Sequence, residues 1–137
     1  VSKIVSRAFH LIPVIDPSQT VRDQDMETGL EALNAMMQRW AADLLSLGWS
    51  PVASPSDEVP IPVEAEQAVA YALAVILAPE YGVTPMSTVV QMAMSGMSDL
   101  LRDQAVATPI QPILDAPIPG GRRQALNSIN GSNWYIG

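Results

Sequence analysis

The chain has 137 residues, and its 48% hydrophobic content and mean hydropathy of +0.18 are too apolar for a disordered polymer. Surface scaling gives ~6,900 Å² for the folded form against ~21,000 Å² extended, enough burial for one domain with a real core. There is no cysteine and a single histidine, His10, which excludes disulfide frameworks, thiolate zinc sites, thiol nucleophiles and iron–sulfur clusters.

Fourteen acids against seven bases leave a net charge of −7, a poor composition for neutralising phosphates on DNA or RNA. Only 15% of the residues are charged, well below the usual quarter, as in chains that hide surface in an assembly. The charge is uneven. Residues 1–107 hold thirteen of the acids and five of the bases, whereas 108–137 hold Asp115, Arg122 and Arg123. Two functional parts are expected on this ground: a helical body, 1–107, and an arm, 108–137. The longest uncharged apolar run, Ala68 to Ala78, is far short of the ~20 residues that cross a bilayer. The first residues, VSKIVSRAF, show no signal-peptide core. The expected place is the producing cell's cytoplasm, or a particle assembled there.

Helical periodicity predicts four helices, near 2–12, 25–47, 64–78 and 85–106, and an all-α fold. In the first, Ile4, Val5, Ala8, Phe9 and Ile12 share one face, with Ser2 as N-cap and Pro13 as terminator. In the second, Met26, Leu30, Leu33, Met37, Trp40, Leu44 and Leu47 recur at steps of four and three. Asp23 or Asp25 caps its start and Gly48 stops it, giving a rod of ~35 Å. Residues 49–63 carry prolines 51, 55, 60 and 62 and read as a long extended loop. The third helix is apolar on all sides, with Ala65, Ala68, Val69, Ala72, Leu73, Ile76 and Leu77 facing inward. Its other side, Ala70, Ala74 and Ala78 with Tyr71 and Val75, must also be covered, by a neighbouring subunit or by a helix packed closely over alanine. Thr84-Pro85 opens the fourth, whose inner face is Met86, Val90, Ala93, Met97, Leu100 and Leu101.

After Ala107 the helical period is lost. Residues 108–137 combine prolines and glycines with Ile110, Ile113, Leu114, Ile118, Leu126, Ile129, Trp134, Tyr135 and Ile136. An extended arm that docks on a partner is expected, with a reach of ~95 Å. Its candidate contact residues are Ile113, Leu114, Ile118, Arg122, Arg123, Asn133, Trp134 and Tyr135. Trp, Tyr and Arg dominate interface energetics, and the arginine pair suits carboxylates or carbonyls of a protein.

Catalytic patterns are sparse. His10 reads as a capping or half-buried structural residue. The carboxylate groups Asp23/Asp25/Glu27, Asp57/Glu58, Glu64/Glu66 and Asp99/Asp103 fall at helix starts or on polar faces, where dipole and solubility explain them. Seven methionines lie mostly beside leucines and read as core filling. No metal site or cofactor is expected. A muramidase-like glycosidase is the enzymatic alternative, because it needs only two carboxylates across a cleft. A helical regulator is weaker still, since no basic recognition helix is present.

The segment from Ala8 to Trp49, with Leu30, Leu33, Asn34, Met37, Trp40 and Gly48, resembles the head-to-tail adaptor proteins of tailed phages. Ala78-Pro79-Glu80-Tyr81-Gly82 is similar to the end of that family's third helix. The helix order and Asn133-Trp134-Tyr135 look most like the tail accessory factor, or head-completion protein, of short-tailed phages. The resemblance implies a structural virion protein; some phage accessory proteins of this type are also discussed as cell-wall hydrolases, and no residue pattern here supports carrying that activity over. It implies a ring of about twelve copies beneath the portal protein, a C-terminal arm on portal subunits, and a platform for tail nozzle, hub or tailspike proteins. Packaged DNA would pass through the channel without specific binding.

Overall fold

A computed structural model of the chain describes residues 1–43 and 45–107. Among them the regular elements are four helices: α1 (Ser2–Leu11), α2 (Asp23–Ala42), α3 (Val63–Glu80) and α4 (Ser87–Ala107). The fold is all-α, as expected. The arm, 108–137, lies outside the described residues. Residues Val1–Ala107 form a unit of their own.

The third helix is the shared element, packing against α1, α2 and α4. Its sequence explains this. Ala65, Ala68, Ala70, Ala74 and Ala78 are all buried, together with Val69, Leu73 and Leu77. Alanine lets neighbouring backbones approach from several sides at once. The closest approach is at Gly96 of α4, where an added Cβ would lie 2.7 Å from the Ala68 Cβ and 3.2 Å from its Cα. Close cover by other helices of the same chain therefore accounts for much of this all-round apolarity. One inward placement fails. Ile76 is 41% exposed, on a part of the α3 surface that the neighbouring helices leave open.

α1 buries Ile4, Val5, Ala8 and Phe9, and Ile12 follows them into the core. Ile12 is extended (φ −106°, ψ 141°), as the residue before a proline prefers, so the helix stops at Leu11. Ser2 does not cap it. Val1 holds the cap position, and the Ser2 N–H instead donates to the Pro55 carbonyl at 2.9 Å, so the proline-rich loop satisfies the helix start.

α2 buries Leu30, Leu33, Met36, Met37 and Trp40, then ends at Ala42 rather than at residue 47. The Leu45 N–H donates to the Trp40 carbonyl at 2.9 Å, which turns the chain and buries Leu45 to 2% exposure. Apolar spacing continues past the end because the following loop drops its own side chains into the same core. Gly48 sits within that loop at φ +76°, not at the helix end. At the other end Arg22 is the N-cap, without a side-chain bond, while Asp23 and Asp25 occupy the first turn and favour the dipole. Gly29 gives α1 room: a Cβ there would run into the Val5 Cγ1.

α3 runs two residues past the expected end, with Pro79 inside its last turn. The Val83 N–H bonds the Ala78 carbonyl at 2.9 Å and the Gly82 N–H bonds the Pro79 carbonyl at 3.1 Å. That pairing is a Schellman close, and Gly82 supplies the left-handed residue it needs, at φ +67°. α4 begins at Ser87, not at Thr84-Pro85, because the Met86 carbonyl accepts its first bonds, from Val89 at 3.0 Å and Val90 at 3.1 Å.

The loop between α2 and α3 is pinned by Asn34. Its Nδ2 donates to the Val52 carbonyl at 2.9 Å, and its Oδ1 accepts from the Val52 N–H at 3.0 Å. One side-chain amide thus does for the loop what a strand partner would do, and Val52 is buried beside it. Asn34→Ala should lower stability by ~1–3 kcal/mol, since it leaves both groups of Val52 partly buried and unpaired. Trp40→Ala should cost ~3–5 kcal/mol. Thermal melts followed by circular dichroism check both, and unchanged midpoints would contradict these placements.

Candidate assembly surface

Tyr81 ties three helices together just beyond the end of α3. Its hydroxyl donates to the Asp25 Oδ1 of α2 at 2.9 Å. Its ring meets Phe9 of α1 edge to face, centroids 5.3 Å apart. Burial, reinforced by the hydrogen bond and charge of Asp25, pushes the phenol up to about 12. Asp25, placed by sequence among candidate catalytic carboxylates, is thus a structural acceptor.

The other charged and polar candidates take similar roles. His10 Nε2 contacts the Gln19 carbonyl at 3.2 Å and holds the loop after α1. Asp57 Oδ2 accepts the Ser54 N–H at 3.0 Å inside the proline-rich loop. Glu64 and Glu66 fill the first turn of α3. Asp99 takes Arg102 Nη2 at 3.0 Å on the α4 surface. Glu64 on α3 and Asp99 and Asp103 on α4 do line one groove, of about 240 Å³. All three are exposed. A glycosidase holds one carboxyl protonated in an apolar pocket, and this groove offers no such enclosure. Ile113, Leu114, Ile118, Arg122, Arg123, Asn133, Trp134 and Tyr135 lie outside the described residues.

What stands out instead is the outer flank of α4. Among the helices, α3 is its main packing partner. Only Val89 and Ala93 are buried on α4, while Val90, Met97 and Leu100 are half-buried. Met86 and Leu101, expected on the inner face, are 61% and 46% exposed, and Met94 is 68% exposed. Met86, Val90, Met94, Met97 and Leu101 recur at steps of four and three and form one stripe on the helix flank. The methionines therefore divide. Met36 and Met37 fill the core, as expected, whereas Met86, Met92 and Met94 face outward. An unbranched thioether side chain suits a surface that must adapt to a partner.

A helical body whose acids sit in first turns, loops and exposed pairs, and which leaves an apolar helix flank open, has the character of an assembly component. Comparison with known proteins agrees with this class. The chain belongs to the family described as the P22 tail accessory factor, whose family model matches residues 5–137. It is therefore a structural component of a phage virion, associated with the tail. No curated protein matches the chain. Among the described residues, no helix is long and apolar enough to cross a membrane.

The Tyr81 junction carries a pH prediction. A phenol whose folded value lies above its unfolded value of ~10 adds stability that is complete below pH ~10 and is lost as pH rises toward 12. Tyr81→Phe should cost ~0.5–1.5 kcal/mol at neutral pH. The gap between the two proteins should close as pH approaches 12, read by urea melts at each pH. A gap that is constant over this range would contradict the assignment.

Proposed function

We propose that this chain is a head-to-tail adaptor. Copies of it form a ring beneath the portal protein, about twelve in number, extend the DNA channel, retain the packaged DNA and offer tail nozzle, hub or tailspike proteins their attachment platform. Assembly takes place in the host cytoplasm. The role is structural, and no reaction is assigned to it. The observation that carries this reading is the open apolar stripe of α4, on a helix with one main packing partner, in a chain of the tail accessory factor family. A surface of that kind is expected where protein meets protein. The acidic body supports it further, because a channel wall rich in carboxylates repels phosphates and lets DNA slide.

Residues 108–137 are proposed to carry the portal contact. Ile113, Leu114 and Ile118 supply apolar area, Arg122 and Arg123 orient the segment, and Asn133, Trp134 and Tyr135 form the anchor. Prolines reduce the conformational freedom lost on docking. In the full chain, Trp134→Ala should weaken binding to the cognate portal by ~2 kcal/mol or more, roughly thirtyfold in Kd, with helicity unchanged. Calorimetric titration checks it. Equal affinity of the two proteins would move the contact from the arm to the helices.

A further inference from the structure

α3 lies between two outer helices. Its Ala70 lines the groove with α1, and its Ala68 meets Gly96 of α4. α1 and α4 carry opposite charge. α1 contains Lys3, Arg7 and His10 at steps of four and three, and no acid. Lys3 and Arg7 are exposed on the side of the helix opposite its buried residues Val5 and Ala8. In a unit with thirteen acids and five bases, an unmixed basic row is a departure that local structure does not explain. Arg39 and Arg102 are paired with Asp43 and Asp99, whereas among the described residues Lys3, Arg7 and Arg22 make no ion pair. Arg7 lies with its guanidinium 6.0 Å from the centroid of the Tyr71 ring.

The groove beside this row, about 620 Å³, includes Val63, which is 76% exposed, and one acid, Glu66. The groove on the α4 side holds Glu64, Asp99 and Asp103, with Met92 43% exposed among them. Asp99 and Asp103 are four residues apart on a helix, as are Lys3 and Arg7, so each pair spans ~6 Å. Two helices laid side by side can therefore match both charges at once, with one apolar side chain from each groove beside them.

We propose that neighbouring copies in the ring meet edge to edge, the basic α1 edge of one docking on the acidic α4 edge of the next, with Lys3 and Arg7 against Asp99 and Asp103. This inference rests on the adaptor-ring reading and adds to it the surfaces that join the copies. Different patches on the two partners make a heterologous contact, the kind that generates a ring where the rotation between copies closes. Charge complementarity fixes register and partner choice, while Val63 and Met92 supply apolar contact. Arg102 lies beside Asp99 and offsets part of its charge, so Asp103 is the stronger acceptor.

The absence of native cysteine permits a direct test in the full chain on the cognate portal. Lys3→Cys with Asp103→Cys, oxidised on the portal, should give a non-reducing ladder from dimer upward. Ser18→Cys with Asp103→Cys should give none. Separately, Lys3→Glu with Arg7→Glu, or Asp99→Lys with Asp103→Lys, should each reduce portal occupancy at least tenfold. All four changes in one chain should restore it, because every contact is then reversed on both sides. Wild-type loading on the portal with no ladder, with occupancy indifferent to the reversals, or with no restoration in the fourfold variant overturns the proposal and leaves the adaptor reading intact. Failure of the wild-type chain to load on the portal overturns both.

Discussion

The crowding of α3 is the constraint on which the rest of the structure depends. Three helices use one helix as their common support, and this is feasible because its contact positions are so often alanine. Ala68 admits Gly96 of α4 at a separation that no larger pair could reach, and Ala70 and Ala74 stay buried on the same helix. The arrangement has a consequence for α4. A helix that rests mainly on one neighbour buries a narrow strip, here Val89 and Ala93, half-buries Val90, Met97 and Leu100, and leaves Met86, Met94 and Leu101 outward. The same economy of small residues that makes the core compact thus produces the open stripe to which we assign assembly.

Around that core, single polar side chains do the work that longer elements would do elsewhere. Asn34 closes the proline-rich loop by pairing both backbone groups of Val52, and Tyr81 joins the end of α3 to α1 and α2. Both residues belong to the short motifs through which the sequence resembles phage adaptors. Their role is architectural: they hold the outer helices in fixed relation, which a ring subunit requires if its two edges are to meet the edges of its neighbours.

The existence and order of the helices were legible in the sequence because α1, α2 and α4 carry a 3.6-residue period, while α3 stands out as a run apolar on all sides. Their ends were less so. Leu47 continued the apolar spacing of α2, yet the chain had already turned after Ala42, since periodicity records burial and not whether the buried residue is helical. The third helix was expected to end at residue 78, while the decisive signal was Gly82, the residue able to close the helix at positive φ. Met86 and Leu101 read as core because periodicity gives the apolar arc of a helix but not how many partners cover it. The outward stripe was recoverable in principle, as an apolar arc wider than one neighbour can bury. The acidic groups lie in first turns, loops and on exposed surface, as dipole and solubility suggest, but Arg22 holds the cap position expected of Asp23 or Asp25, and the duty of Asp25 toward Tyr81, 56 positions away, has no local signature.

In the adaptor role we propose, the chain is a ring component whose helical body and terminal segment serve different neighbours. Its central claim is the position and multiplicity of the chain on the portal. Cryo-electron microscopy of the cognate portal incubated with the full-length protein tests this most directly. The account predicts a continuous annulus of helical density on the tail-facing end of the portal, one copy per portal subunit, with its channel aligned to the portal channel. Bare portals, or chains bound singly away from the channel axis, would contradict it.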